Sequence, residues 1–320
     1  MTALPQRLQW PQWPIFLLLA AWALPLQAEP LLASDLAPLE RIASEEIAAG
    51  HVPGAVILVG QGQHIVYRRA FGLRAMVPTE EAMTPDTVFD LASLTKVVVT
   101  TTAVLQLAER GRLDLDAPAA RYWPAFTGQG KDSITLRQLL THTSGLPPGL
   151  DLRGISGVNP GAVWQRLLAL KPRQPASQEP VYSDLNFIVL GEIVHRVASE
   201  SLDSYARRHI LAPLHMADAG FLPPASLLPR IAPTNWKGSA ANGRGNGTGT
   251  GNNGRNGSSS DRQPRRGEVH DPLTERLGGV AGNAGLFASA DDLAAFAQAL
   301  LAGGKPILKS STVARMWAPQ

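Results

Sequence analysis

The stretch Phe89-Asp90-Leu91-Ala92-Ser93-Leu94-Thr95-Lys96 introduces the longest amphipathic run in the middle of the chain. Helical spacing continues over 94–110 and stops at Gly111, which places Ser93 at a helix start. Lys96 then lies one turn on, on the same face as the serine. A helix N-terminus contributes free backbone N–H groups and a positive field. A serine in that position needs a base, and a lysine serves once desolvation lowers its pKa. Val97, Val98 and Val99 are expected to be buried and to supply that desolvation. Ser93 is the candidate nucleophile and Lys96 its candidate base.

Toward the N-terminus, apolar residues recur at Leu36, Leu39, Ile42, Ala43 and Ile47 before Gly50, the pattern of a helix with a glycine cap. Two apolar strands over 55–60 and 64–71, joined by Gln61-Gly62-Gln63, read as a hairpin. Toward the C-terminus the chain is mostly helical, over 135–141, 162–170, 185–199, 289–301 and 311–317. Ser289 is the predicted N-cap of the fourth of these, with Gly303-Gly304 after it. This order of elements predicts an α+β fold. Tyr182-Ser183-Asp184 falls on the loop before the 185–199 helix, and a tyrosine beside a lysine can relay protons.

Composition narrows the chemistry. The chain has 320 residues, 44% of them hydrophobic, enough for one large domain. It has no cysteine, which excludes a thiol nucleophile and disulfides. The 7 histidines show no ligand spacing, so no metal is predicted, and no cofactor is implied. The net charge of +3 comes from the segment 238–267, where five arginines stand against Asp261 alone. The rest of the chain is close to neutral, which argues against a nucleic-acid groove. That segment is dominated by Gly, Asn, Ser and Arg, with no aliphatic residue larger than alanine. It is therefore expected to be a disordered insertion within the domain.

The first 28 residues read as a secretory signal peptide. Arg7 precedes an apolar run from Ile15 to Leu26, too short to span a bilayer comfortably, and Ala28 offers a small residue for cleavage. Residues 29–320 then form one domain, periplasmic or secreted, with a membrane link only if the leader stays on.

The string Phe-x-Leu-Ala-Ser-x-Thr-Lys at 89–96, followed by a long apolar helix, resembles the first motif of the penicillin-recognising serine hydrolases. These are the class C β-lactamases, DD-peptidases and related esterases. Tyr182-Ser183-Asp184 is similar to their second motif, with Asp184 where the β-lactamases carry asparagine. Ile134-Thr135-Leu136-Arg137-Gln138-Leu139-Leu140-Thr141-His142-Thr143-Ser144-Gly145-Leu146 resembles the helix and turn between the two motifs. Gly111–Asp116 and 285–293 extend the match, which runs from about Leu36 to Gln320 apart from the insertion. Within it, His142 reads as part of a turn whose hydroxyls satisfy backbone groups, not as a charge relay.

The resemblance implies a β-lactamase/transpeptidase-like fold and acyl transfer to Ser93, with Lys96 and Tyr182 sharing acid and base work. Asp184 becomes a substrate-binding position, adding negative charge that works against β-lactam hydrolysis. A peptidoglycan stem peptide, a β-lactam or a small ester is the implied substrate. The family's third motif, Lys-Thr-Gly or a variant on a late strand, has no match downstream of Leu293, and Gly282-Asn283-Ala284-Gly285 lies too early to be it. The last strands of the sheet are accordingly expected to be missing from this chain, leaving the hairpin alone to represent that sheet. Low activity, or a binding or sensing homologue without turnover, follows as the alternative.

Overall fold

Two halves of one domain meet at Ser93: a small antiparallel sheet with its flanking helices, and a helical body. The computed structural model describes Leu31 and residues 33–176, 179–236 and 264–318. The predicted leader and most of the predicted insertion lie outside these residues.

Helix α1 (Ala33–Ala48) buries Leu36 and Ala43 against the strands that follow, while Ile42 of the predicted stripe is exposed. Strands β1 (Gly54–Gln61) and β2 (His64–Ala75) pair antiparallel from Gly54 with Gly72 to Gln61 with His64. The hairpin was expected to stand alone, and it does not. β3 (Glu81–Ala82) adds to β2, and β4 (Val88–Asp90) joins a separate two-stranded ladder with a late strand, β7 (Phe287–Ser289). Elements of two and three residues are too short for alternation to reveal them.

The run after Ser93 is also not one regular helix. A 3-10 turn (Ala92–Leu94) leads into a π-helical stretch (Lys96–Thr101) and then α2 (Thr102–Glu109). Such i→i+5 stretches are rare and often sit at functional sites. The local rotation exposes Val97, which had been expected inside, while Val98 and Val99 remain buried with Lys96.

The helical body consists of α2, α3 (Leu136–Leu140), α4 (Pro160–Ala169), α5 (Asp184–Ala198) and α6 (Leu202–Ala206). A capping box between Thr135 and Gln138 starts α3, and Asn159 caps α4. The apolar residues of α5, among them Leu185, Ile188, Val189 and Ile193, are fully buried and centre the core. Short strands β5 (Asn235–Trp236) and β6 (Pro264–Arg265) then bracket the 237–263 region, and α7 (Pro272–Arg276) follows. α8 (Ala290–Leu301) has a capping box between Ser289 and Asp292 and lies against β1, and α9 (Ser310–Trp317) closes the described chain.

The predicted insertion therefore ends earlier than its composition suggested. Arg265 bonds to Glu275 and the Val269 carbonyl, and Arg266 makes a paired contact with Glu81 on β3. Arginine needs only a carboxylate partner to be ordered, and a composition argument based on apolar burial overlooks that.

Candidate active site

The β4–β7 ladder fixes the site. Asp90 pairs with Phe287, and Leu91 N–H continues the ladder to the Leu286 carbonyl, so the chain before Ser93 runs beside the loop 282–286. The Asp90 carboxylate accepts from the Ala92 N–H at 2.9 Å and from the His270 N–H at 2.7 Å. Ala92 takes φ of +45°, an uncommon backbone for a residue with a Cβ, and its turn presents Ser93 to solvent.

Ser93 Oγ is the meeting point of two predicted partners. Lys96 Nζ lies 3.0 Å from it, and Tyr182 Oη donates to it at 2.8 Å. The lysine is 3% exposed, so its ammonium needs satisfied donors to be tolerated there. It has them: Nζ also donates to Asp184 Oδ1 at 2.7 Å and to the Asn283 carbonyl at 3.0 Å. Three N–H groups thus meet three acceptors, the full capacity of an ammonium. The Tyr182 ring centroid lies 4.9 Å from Nζ.

Asp184, expected at the substrate, has a partner within the protein: its carboxylate pairs with Lys96 and keeps a partly exposed edge. Burial pushes its pKa above the ordinary carboxylate range, outweighing the pull of Lys96, and Asp271 adds to the rise. Asn283, passed over in the sequence, is a member of the site. Its side chain is buried, accepts from Thr274 Oγ1 at 3.1 Å and donates to Asp271 at 3.1 Å. The available signal was a polar residue enclosed by Gly282, Ala284 and Gly285 ahead of a capped helix. Thr100 Oγ1 donates to the Gly282 carbonyl, and Leu286 N–H donates to Thr95 Oγ1. The Ser93–Lys96 helix is thereby fastened to this loop from below.

The 142–148 turn cradles Tyr182. Val181 N–H donates to the His142 carbonyl and Ser183 N–H to His142 Nδ1 at 3.0 Å. Ser183 Oγ donates to the Pro147 carbonyl, Asp184 N–H to the Pro148 carbonyl, and Ser144 Oγ to Asn186 Oδ1. Every link but the last joins the turn directly to 181–184. His142 takes φ of +60° and Gly145 φ of +77°. A Cβ at Gly145 would lie 2.0 Å from the Gln174 carbonyl oxygen, so only glycine fits.

Comparison with known proteins places this arrangement. The family model described as Beta-lactamase matches residues 39–320. The chain belongs to the beta-lactamase family. A relative from Escherichia coli O157:H7 named "Putative D-alanyl-D-alanine carboxypeptidase" is 30% identical over 83% of this chain and 64% of its own length. The protein of the same name from Escherichia coli K12 is also 30% identical over 83% and 64%. This beta-lactamase family chain therefore spans a little under two thirds of those curated relatives. Among solved structures, the octameric penicillin-binding protein homologue from Pyrococcus abyssi superposes with a TM-score of 0.69 at 22% identity, over 89% of this chain and 60% of that one. The class C beta lactamase from Rhodobacter sphaeroides gives 0.65 at 23%, over 86% and 68%. The fold is thus the β-lactamase/transpeptidase-like one expected from the sequence, and the family is one of serine hydrolases.

A cavity of about 400 Å³ also opens beside α5, lined by Trp164, Glu192, His195, Leu222 and Gly282 among others. None of Ser93, Lys96 and Tyr182 lines it. The Ser93 hydroxyl instead stands at the open surface beside Tyr182, which is 52% exposed.

Proposed function

We propose that this protein is an exported serine hydrolase that forms an acyl-enzyme on Ser93, with a peptidoglycan stem peptide ending in D-Ala-D-Ala as its substrate class. The carrying observation is the convergence of Lys96 Nζ and Tyr182 Oη on Ser93 Oγ within 3.0 Å. The names of the Escherichia coli relatives support the peptide reading. Residues 1–28 act as the export signal in this account.

The chemistry follows from those contacts. The reactive form of the Lys96–Tyr182 pair holds one proton fewer than its fully protonated form. As the substrate carbonyl carbon bonds to Oγ, the hydroxyl proton enters that pair. The pair returns it to the departing amine as the C–N bond breaks, leaving an ester on Ser93. Water then adds to the ester carbon and gives its proton to the same pair, which passes it to Ser93 Oγ as the ester C–O bond breaks, releasing the acid. Asp184 and the Asn283 carbonyl stabilise the positive charge on Lys96 while this proton moves. The Ser93 N–H, at the head of its helix, faces the developing oxyanion.

Incubation with a diacylated D-Ala-D-Ala peptide, a chromogenic cephalosporin and a short-chain nitrophenyl ester tests the reading. Release of D-alanine, abolished by Ser93→Ala, is the expected result. Turnover of the ester alone would replace the peptide with an ester substrate. Turnover of none, together with no covalent adduct, would favour a binding protein.

A further inference from the structure

We infer that His142 is a positioning residue for Tyr182: as a neutral imidazole it clamps the 181–183 segment, and protonating it releases the tyrosine from Ser93. This rests on the proposed role of Tyr182 in acyl transfer, but the clamp itself is a matter of geometry.

Three contacts from one residue hold three consecutive residues. The His142 carbonyl accepts from the Val181 N–H at 2.8 Å. Nδ1 accepts from the Ser183 N–H at 3.0 Å, with Asn186 Nδ2 at 3.3 Å. The ring itself stacks on the Tyr182 ring, centroids 4.6 Å apart and planes 29° off parallel, and its other neighbour is Phe187 at 5.2 Å. An amide N–H is always a donor, so Nδ1 must be an acceptor and the ring proton belongs on Nε2. A second proton has to go on Nδ1. It would there confront the Ser183 N–H, donor against donor, and put a cation against the tyrosine 2.8 Å from the nucleophile.

The charges around the ring act in the same sense. Burial and then the Lys96 ammonium hold His142 below its ordinary pKa. Asp184 could oppose this, but its carboxylate is engaged with Lys96, and Tyr182 is the other titratable group of the segment. The neutral form is therefore the resting one at neutral pH. Moderate acid removes the clamp, and because Asp184, whose pKa is raised, also titrates toward acid beside Lys96, the His142 variants are what separate the two effects.

The full chain, labelled with ¹⁵N-histidine and with ¹⁵N on the backbone, provides the test. His142 is assigned by its absence in His142→Asn. The Nε2–H tautomer and a Ser183 amide that titrates with the His142 midpoint are expected. In His142→Asn the Ser183 amide should not titrate, because asparagine tolerates this positive φ and its Oδ1 replaces Nδ1 as acceptor. His142→Phe keeps the ring face and loses the acceptor. Its acylation by a fluorescent penicillin should fall about 10–100-fold through misplacement of Tyr182. His142→Asn should restore most of that rate and lack the acid inflection of the wild type. An Nδ1–H tautomer, or a Ser183 amide indifferent to His142, would overturn the clamp. So would a His142→Phe protein that labels at the wild-type rate. If the wild type takes no label at all, the hydrolase reading fails, and the two resonance measurements still decide for or against the clamp.

Discussion

Lys96 Nζ and Asp184 Oδ1 lie 2.7 Å apart, although the residues are 88 positions apart in the chain and the aspartate side chain is 30% exposed against 4% for the lysine side chain. The pair explains how a positive charge survives among Val98, Val99 and the loop at Asn283. It also gives Asp184 a task within the protein besides the one expected of it at the substrate.

Removing one partner should therefore destabilise the fold. In Lys96→Met the Asp184 carboxylate, already pushed up by burial, loses the cation that offsets that burial. The expected loss is about 1–3 kcal/mol, below the ~3–5 kcal/mol of a fully buried pair because solvent still reaches Asp184. Lys96→Met/Asp184→Leu should recover part of it. Urea denaturation of both variants measures the difference, and a Lys96→Met protein as stable as the wild type would remove the pair from the account.

Stability should also fall in mild acid because of His142. Its folded-state pKa is lowered, so its contribution is complete above the unfolded value of about 6.5 and is lost as pH falls through the folded value. Asp184 has the opposite sign. Its raised pKa contributes stability below the unfolded carboxylate value of about 3.8, and that contribution is lost as pH rises through the folded value. The two windows start from different ends of the scale. Because the two windows run toward each other, the quantity to measure is a difference: in chemical denaturation from pH 7.5 to 5 the wild type should lose stability toward acid relative to His142→Asn.

Gly282→Ala should damage both fold and site. A Cβ there would lie 2.0 Å from the Phe187 carbonyl oxygen and 3.1 Å from Gly191 Cα, so either α5 or the loop must move. The loop carries Asn283, whose carbonyl holds Lys96. Overpacking of this kind costs about 1–3 kcal/mol, which thermal melting resolves. The acylation rate should fall with it, whereas Gly149→Ala, with open space at its Cβ, should change neither.

Much of this site was legible because its signals are local. Ser93 and Lys96 are one helical turn apart, and Thr135, Ser289 and Gly111 mark helix ends by chemistry that acts within a few residues. Asn283 was not legible. Its role depends on a three-residue strand that pairs Val88–Asp90 with a partner some 200 residues on, and such pairing leaves no periodic trace. Asp184 was found as a candidate substrate-binding position, but its partner was not: sequence order shows that it follows Tyr182, not that its carboxylate turns back onto Lys96. His142 was read as a turn residue and is one, with φ of +60°, yet its ring also serves the neighbouring loop. Val97 looked like its valine neighbours, and only the π-helical geometry separates it from them.

The central claim is that Ser93 Oγ is the atom that becomes acylated. The full chain treated with a fluorescent penicillin or an acyl-phosphonate, digested and mapped by mass spectrometry, tests it directly. A single adduct on the peptide containing Ser93, absent in Ser93→Ala and slowed in Tyr182→Phe, is the predicted result. An adduct on another serine, or equal labelling of the Ser93→Ala protein, would contradict it.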